Sequence, residues 1–262
     1  MIDLNSGSGV TLRPPDFADH INAAIDAGIL ARRAREPKRN YLGASLLGEP
    51  CTRKLVYIAS GKPPDAEFTP RTLRIFDIGH DMEDFLAGEG SEQNEVYSKA
   101  AARWFHDAGF DLRVKGKDGK QFGWEALGGR MQGHIDGVFC GGPAIPGLVY
   151  PALWENKAVN KKSWSGFKKH GVKIKSPTYH GQTQLNMGYL DVWQTVFTTV
   201  NKDTEELNHE LVSFDQSVAQ RLSDRALEIK RMVEVGVVPE RISQHADFYL
   251  CKMCGYARGC WI

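Results

Sequence analysis

GRMQGHIDGVFCGGPAIPGLVYPALWENKAV, residues 129 to 159, decides how the rest of the chain is read. Two runs within it, GHIDGVF and ALWENKAV, are apolar enough for strands, and the Gly and Pro residues of CGGPAIPG between them mark a turn. Both carry charge inside an apolar run: Asp136 in the first, Glu155 and Lys157 in the second. Side chains alternate along a strand, so Glu155 and Lys157 face one side while Trp154 and Asn156 face the other. Any one of these charges alone reads as an edge or cross-strand ion pair. Together, two carboxylates converging on a point make a site for a hard cation such as Mg²⁺, which takes oxygen ligands and keeps several waters. A lysine beside them can orient an attacking water or offset charge developing on a phosphate.

Working outward, DLRVKG extends a meander of strands over residues 110 to 160, with KGKDGKQFG as a loop. Downstream, residues 177 to 190 read as a helix, DVWQTVFTTV and HELVSF as strands, and DQSVAQRLSDRALEIKRMVEVG as a helix with Val218, Leu222, Ile229 and Met232 at helical spacing. Upstream, PPDFADHINAAIDAGILARRAREPKR opens on two prolines and Asp16 and runs as a helix with a basic tail able to meet phosphate. YLGASLLGEPCTRKLVYIASG is a turn-interrupted, partly helical segment, and KPPDAEFTP is a loop. RTLRIFDIGHDMEDFLAGEG reads as a helix through Leu73, Phe76, Phe85 and Leu86, with a second helical stretch around Tyr97 to Ala108. This order predicts a single α/β domain: an N-terminal helical segment at 1–40, a core at 41–240 and a cysteine tail at 241–262.

A chain of 262 residues with 42% hydrophobic residues can bury a sizeable core. With 33 Lys and Arg against 32 Asp and Glu, attraction to a polyanion has to come from local clustering. One such cluster runs from Lys161 to Lys175, with six lysines, no acidic residue, and Trp164 and Phe167 interleaved. Alone, a charge run reads as a solvated loop. Placed directly after the charged strand, Lys161, Lys162, Lys168 and Lys169 suit backbone phosphates, and Trp164 and Phe167 suit stacking on unpaired bases. No apolar stretch is long enough to cross a membrane, and MIDLNSGSGV lacks the blocks of a signal peptide, which predicts a cytoplasmic protein. In a reducing compartment, CKMCGYARGCW at residues 251 to 261 points to a metal and not to disulfides. Two further cysteines are available as a fourth ligand: Cys140, read as a small buried thiol, and Cys51 in GEPCTRKLVY. Local His245 is an alternative that would complete a tetrahedral zinc site within the tail.

Asp136 followed by Glu155-Asn156-Lys157 resembles the PD-(D/E)XK nuclease superfamily. PTYHGQTQLNM, residues 177 to 187, is similar to the P-x-x-Y-x-x-Q-x-Q-x-x-M helix of phage exonucleases in its λ-exonuclease and RecB-like branches. It departs from the stricter QxxxY form, because Gly188 stands four residues past Gln184 and tyrosine arrives at Tyr189. IGHDMEDFL resembles the RecB-like helix that adds a metal ligand, with both His80 and Glu83 available. Early Cys51 followed by Cys251, Cys254 and Cys260 looks like the iron–sulfur staple of RecB-like exonucleases associated with CRISPR systems and of the AddB-type helicase-nuclease subunit. The resemblance implies a restriction-endonuclease-like core, a central mixed sheet flanked by helices, and a metal-dependent DNA exonuclease. Asp136 and Glu155 would hold Mg²⁺ or Mn²⁺, Lys157 would act on the water, Tyr179, Gln182 and Gln184 would orient the strand or the lysine, and the four cysteines would hold a [4Fe–4S] cluster. DNA would be the partner, in phage recombination or replication or in CRISPR spacer acquisition, alongside proteins of those processes. A non-catalytic DNA-binding protein with a structural Zn²⁺ is the competing expectation.

Overall fold

The computed structural model describes residues 17–36, 41–87 and 104–261, the side chains of 82–87 excepted. Those residues divide into two compact units, 17–36 with Phe68–Phe76 and the remainder. In the first, α1 (Phe17–Arg35) has Asp19 in its first turn and Arg32, Arg33 and Arg35 in its last, the arrangement the helix dipole favours. Asp26 pairs with Arg74, and the Phe68 and Phe76 rings meet edge-on at 5.2 Å. No residue of α1 is buried. Asp16 and the prolines expected to start this helix lie outside the described residues.

The second unit begins with β1 (Leu42–Gly43), a 3-10 turn at Ala44–Leu46 and α2 (Thr52–Ala59). α3 (Pro70–Ala87) starts in the first unit and continues into the second. Of the helix expected near Tyr97, residues 97–103 lie outside the described residues, and α4 (Trp104–Asp107) is its described end. Four strands follow, β2 (Asp111–Arg113), β3 (Gly123–Ala126), β4 (Met131–His134) and β5 (Gly137–Gly141), and then β6 (Ala152–Val159). α5 (Lys161–Lys175) and α6 (Pro177–Leu190) lead to β7 (Gln194–Asn201), β8 (Leu207–Ser213) and α7 (Gln216–Glu234). Two short helices, α8 (Tyr249–Lys252) and α9 (Ala257–Trp261), form the tail.

The strands make a mixed α/β architecture with two sheets, of order β2-β5-β6-β7-β8 and β1-β4-β3. One continuous meander was the expectation. Instead the chain changes sheet across Ile135 and Asp136, between the end of β4 and the start of β5. β6 is central in the larger sheet, antiparallel to β5 and parallel to β7. Parallel neighbours need a long crossover, and α5 with α6 supplies it. The first five residues of β6 are all buried, as expected of a strand covered on both faces.

One core cluster packs Leu222, Ala226 and Ile229 of α7 and Leu185 of α6 against Leu47, Leu55 and Met131. Val218 and Met232, read on the same α7 face, are partly buried against it. Trp154 projects from the opposite face of β6 into a second cluster with Phe105, Phe139 and Val200. α6 comes so close to the turn before α2 that a Cβ on Gly48 would lie 2.4 Å from the Thr178 Cα.

The basic stretch after β6 is a helix and not an exposed loop. Asn160 caps it by accepting from the Ser163 N–H at 2.9 Å. A kink at Gly171, with φ 71°, is held by the Glu210 carboxylate, which accepts from the Val172 N–H at 2.7 Å. Trp164, Phe167 and Val172 are buried beneath it, so the two rings expected to stack on bases are core residues instead. Lys161, Lys162, Lys168 and Lys169 are exposed, and the Lys168 ammonium lies 4.9 Å from the Trp164 ring centre. Among the described residues no helix is long and apolar enough to cross a membrane.

Candidate active site and cysteine cavity

Central β6 presents Glu155 and Lys157 to the side on which α6 packs. Glu155 is 2% exposed, a position a lone carboxylate rarely holds without partners. Its Oε1 lies 2.5 Å from the Lys157 Nζ and accepts from Gln182 Nε2 at 2.6 Å. Asp136, at the crossing between sheets, accepts from the Asn156 N–H through Oδ2 at 2.8 Å, and the same oxygen lies 3.8 Å from Lys157 Nζ. The ammonium thus stands between two carboxylates, one from β6 and one from the β4–β5 connection, and also donates to the Asn156 carbonyl at 2.8 Å. The Tyr179 ring centre is 5.5 Å from that ammonium, and the ring stacks on Phe167 at 6.2 Å. The constellation read from sequence is therefore assembled, with Gln182 and Tyr179 joining it from the first turns of α6.

Gln184 does not join it. Fully buried, it bonds to the Asp215 N–H at 2.6 Å, the Ser213 carbonyl at 3.1 Å and His180 Nε2 at 3.2 Å. It fastens α6 to the connection between β8 and α7. Tyr189, the tyrosine in question after Gln184, stacks on Trp124 at 4.0 Å and bonds to Ser223 at 2.8 Å. Tyr179 is the tyrosine beside the lysine.

His80 and Glu83 both belong to α3, and the Glu83 side chain lies outside the described residues. Among the described residues no three His, Cys, Asp or Glu side chains gather as at a single-ion site, so Asp136 and Glu155 stand as a pair. Gln182 Oε1 is buried with no hydrogen-bond partner among the described residues, on the same amide whose Nε2 meets the Glu155 carboxylate. The donor set fits Mg²⁺ or Mn²⁺: two carboxylates, a free amide oxygen, and no soft ligand.

Cys51, Cys251, Cys254 and Cys260 line one cavity together with Glu49, Lys54, Arg241 and Trp261. All four cysteines are free thiols. Burial pushes the Cys251 thiol up, and its three cysteine neighbours push it further. Burial also pushes Cys254 up, against a downward pull from the Tyr256 N–H and Lys54. A cationic metal centre would discharge that mutual repulsion by binding the thiolates and releasing their protons. His245 is exposed and is not among the residues lining the cavity. Cys140, expected to be buried, is exposed at the end of β5. The tail is also tied down without the cysteines: Asp65 accepts from the Arg258 N–H at 2.6 Å and the Gly259 N–H at 3.3 Å, capping α9 from a distant loop.

No protein-family model matches the chain, and no curated protein matches it. Among solved structures it is similar to an alkaline exonuclease, LHK-Exo, from Laribacter hongkongensis, at 12% identity over 82% of this chain and 93% of that one, with a TM-score of 0.49. A structure of LHK-Exo in complex with dAMP is similar at 13% identity over the same shares, with a TM-score of 0.48. A protein designated SSO0001 is similar at 14% identity over 92% of this chain and 96% of that one, with a TM-score of 0.45. The functional reading rests on side-chain geometry and not on these distant likenesses.

Proposed function

We propose that the protein is a metal-dependent DNA exonuclease of the PD-(D/E)XK type, with a restriction-endonuclease-like core and an iron–sulfur cluster held by Cys51, Cys251, Cys254 and Cys260. The observation that carries the nuclease reading is the Lys157 ammonium 2.5 Å from Glu155 and 3.8 Å from Asp136, on the central strand of the sheet. A purely structural ion pair needs one carboxylate. Two of them on one half-buried lysine, beside an amide oxygen with no hydrogen-bond partner among the described residues, form a site that a divalent cation and its waters complete.

Asp136 and Glu155 would hold Mg²⁺ or Mn²⁺, which lowers the pKa of a bound water and offsets charge on the phosphate. Gln182 donates to the Glu155 carboxylate and so holds its direction. The Lys157 ammonium is placed to hold the attacking water by donating to it and to offset charge developing on the phosphodiester as it is opened in line. The Tyr179 ring limits where the lysine can swing. Exposed Lys161, Lys162, Lys168 and Lys169 on α5, which starts two residues after β6 ends, supply phosphate contacts next to the reacting strand. His80 and Glu83 are the further ligand candidates.

For the cysteines, a shared cavity supports Cys51 over His245 as the fourth ligand. Four thiols lining one cavity can supply one thiolate to each iron of a [4Fe–4S] cluster. Activity is tested with end-labelled linear DNA and covalently closed circles, in Mn²⁺ and in a chelator. Loss of label from linear DNA in metal alone is expected. No degradation of either substrate, or equal degradation of circles and linear DNA, contradicts an exonuclease.

A further inference from the structure

Trp261 carries a buried polar atom that nothing above uses. Its Nε1 has no hydrogen-bond partner among the described residues, although a buried indole N–H ordinarily finds one and leaving it unmade is costly. Trp261 lines the cavity of the four cysteines. With no thiol bonded to it among the described residues, that N–H is available to a group bound in the cavity. Arg241 lies beside the ring: its Nε donates to the Cys260 carbonyl at 2.8 Å, its guanidinium lies 4.7 Å from the indole centre, and it lines the same cavity. The ring and the cation thus sit together at the cavity wall, joined to the Cys260 backbone.

We infer that Trp261 and Arg241 tune the redox potential of the group held by the four cysteines, Trp261 by donating its indole N–H to a sulfur of that group and Arg241 by holding the indole and adding positive charge. The inference rests on the iron–sulfur reading above. A single electron taken from a small-molecule one-electron reductant such as dithionite, itself oxidised in the step, adds one negative charge to the centre, with no bond made or broken at the centre. An N–H aimed at a ligating sulfur and a nearby guanidinium both stabilise that added charge, so both raise the potential. Lys54 lines the cavity too, but its charge is engaged at 2.5 Å by Glu49, which leaves Arg241 as the cation that varies the field.

The test is a redox titration of the anaerobically purified full chain, followed by visible absorbance, with iron and sulfide assayed in parallel. Trp261→Phe keeps an aromatic ring and removes the N–H; Arg241→Gln removes both the charge and the guanidinium's hold on the indole. Both variants are expected to hold wild-type iron and sulfide and to titrate at a lower potential than wild type. Should Trp261→Phe lose the centre, Arg241→Gln alone decides the direction of the shift. Wild-type potentials in variants with full iron overturn the tuning role and leave the cluster intact. A wild-type chain that holds no iron and sulfide, or one whose iron survives Cys51→Ser, overturns the cluster reading itself.

Discussion

Gln182 and Gln184 lie two residues apart on α6 and are predicted to fail in opposite ways when replaced by alanine. At Gln184 the truncation removes the acceptor of the Asp215 N–H and the donor to the Ser213 carbonyl. Each group left without a partner costs about 1–3 kcal/mol, which gives roughly 2–6 kcal/mol in total before any cavity term. For a chain of this size that is a fall in Tm of roughly 4–24 °C. At Gln182 the truncation removes one bond to Glu155, whose Oε1 keeps the Lys157 ammonium at 2.5 Å, so the fold stays intact. What it loosens is the direction of a carboxylate that must hold a cation, and misplacement on the ångström scale costs about 100-fold in rate. Thermal unfolding by circular dichroism and Mn²⁺-dependent degradation of labelled DNA, run on both variants, separate the two effects. If Gln184→Ala keeps the wild-type Tm and loses activity, or Gln182→Ala keeps activity and loses stability, the assignment of the two glutamines is reversed and the account of α6 fails.

Three further outcomes follow from the packing and electrostatics. Gly48→Ala places a Cβ 2.4 Å from a backbone atom, which cannot move as a flexible side-chain end would, and is expected to destabilise by about 1–3 kcal/mol in chemical denaturation. Burial holds both His180 and His209 below the ordinary histidine range, with Lys173 adding to the effect at His180 against an opposite pull from Asp215. Their folded pKa values lie below the unfolded one, so their contribution is complete above about 6.5 and is lost as pH falls through the folded values. Tm measured across that window should decline towards acid, less steeply in His180→Gln; a variant as steep as wild type removes His180 from the explanation. Replacing Lys161, Lys162, Lys168 and Lys169 with glutamine should weaken DNA binding and flatten its dependence on salt without moving Tm, since all four side chains are exposed; unchanged binding by fluorescence anisotropy would show that α5 is not a phosphate surface.

Much of the fold was legible because the relevant signals are local. The alternation Trp154, Glu155, Asn156, Lys157 places charges and core on opposite faces whatever the topology, and the structure keeps that division. The helical period of α7 predicted a core face that holds Leu222 and Ile229 buried. α5 was misread because its lysines drew the reading towards exposure, while Trp164, Phe167 and Val172 recur at i, i+3 and i+8, a spacing that marks a buried helical stripe. The change of sheet at Asp136 left no local trace. It depends on β1, some ninety residues earlier, pairing in parallel with β4. Nor does a motif distinguish Gln182 from Gln184: the two point to different elements, one to β6 and one to the start of α7, and only the packed structure says which. Gln182 Oε1 and Trp261 Nε1, the atoms that sharpen the two candidate sites, are significant only because they are buried without partners, a property that sequence does not carry.

The most direct measurement is degradation of labelled DNA in Mn²⁺ by wild type, Glu155→Ala and Lys157→Ala, each checked for an unchanged fold. The account predicts that wild type degrades DNA and that each variant is slower by about 10²–10⁴-fold. Equal rates for all three proteins, or an inactive wild type, would contradict it.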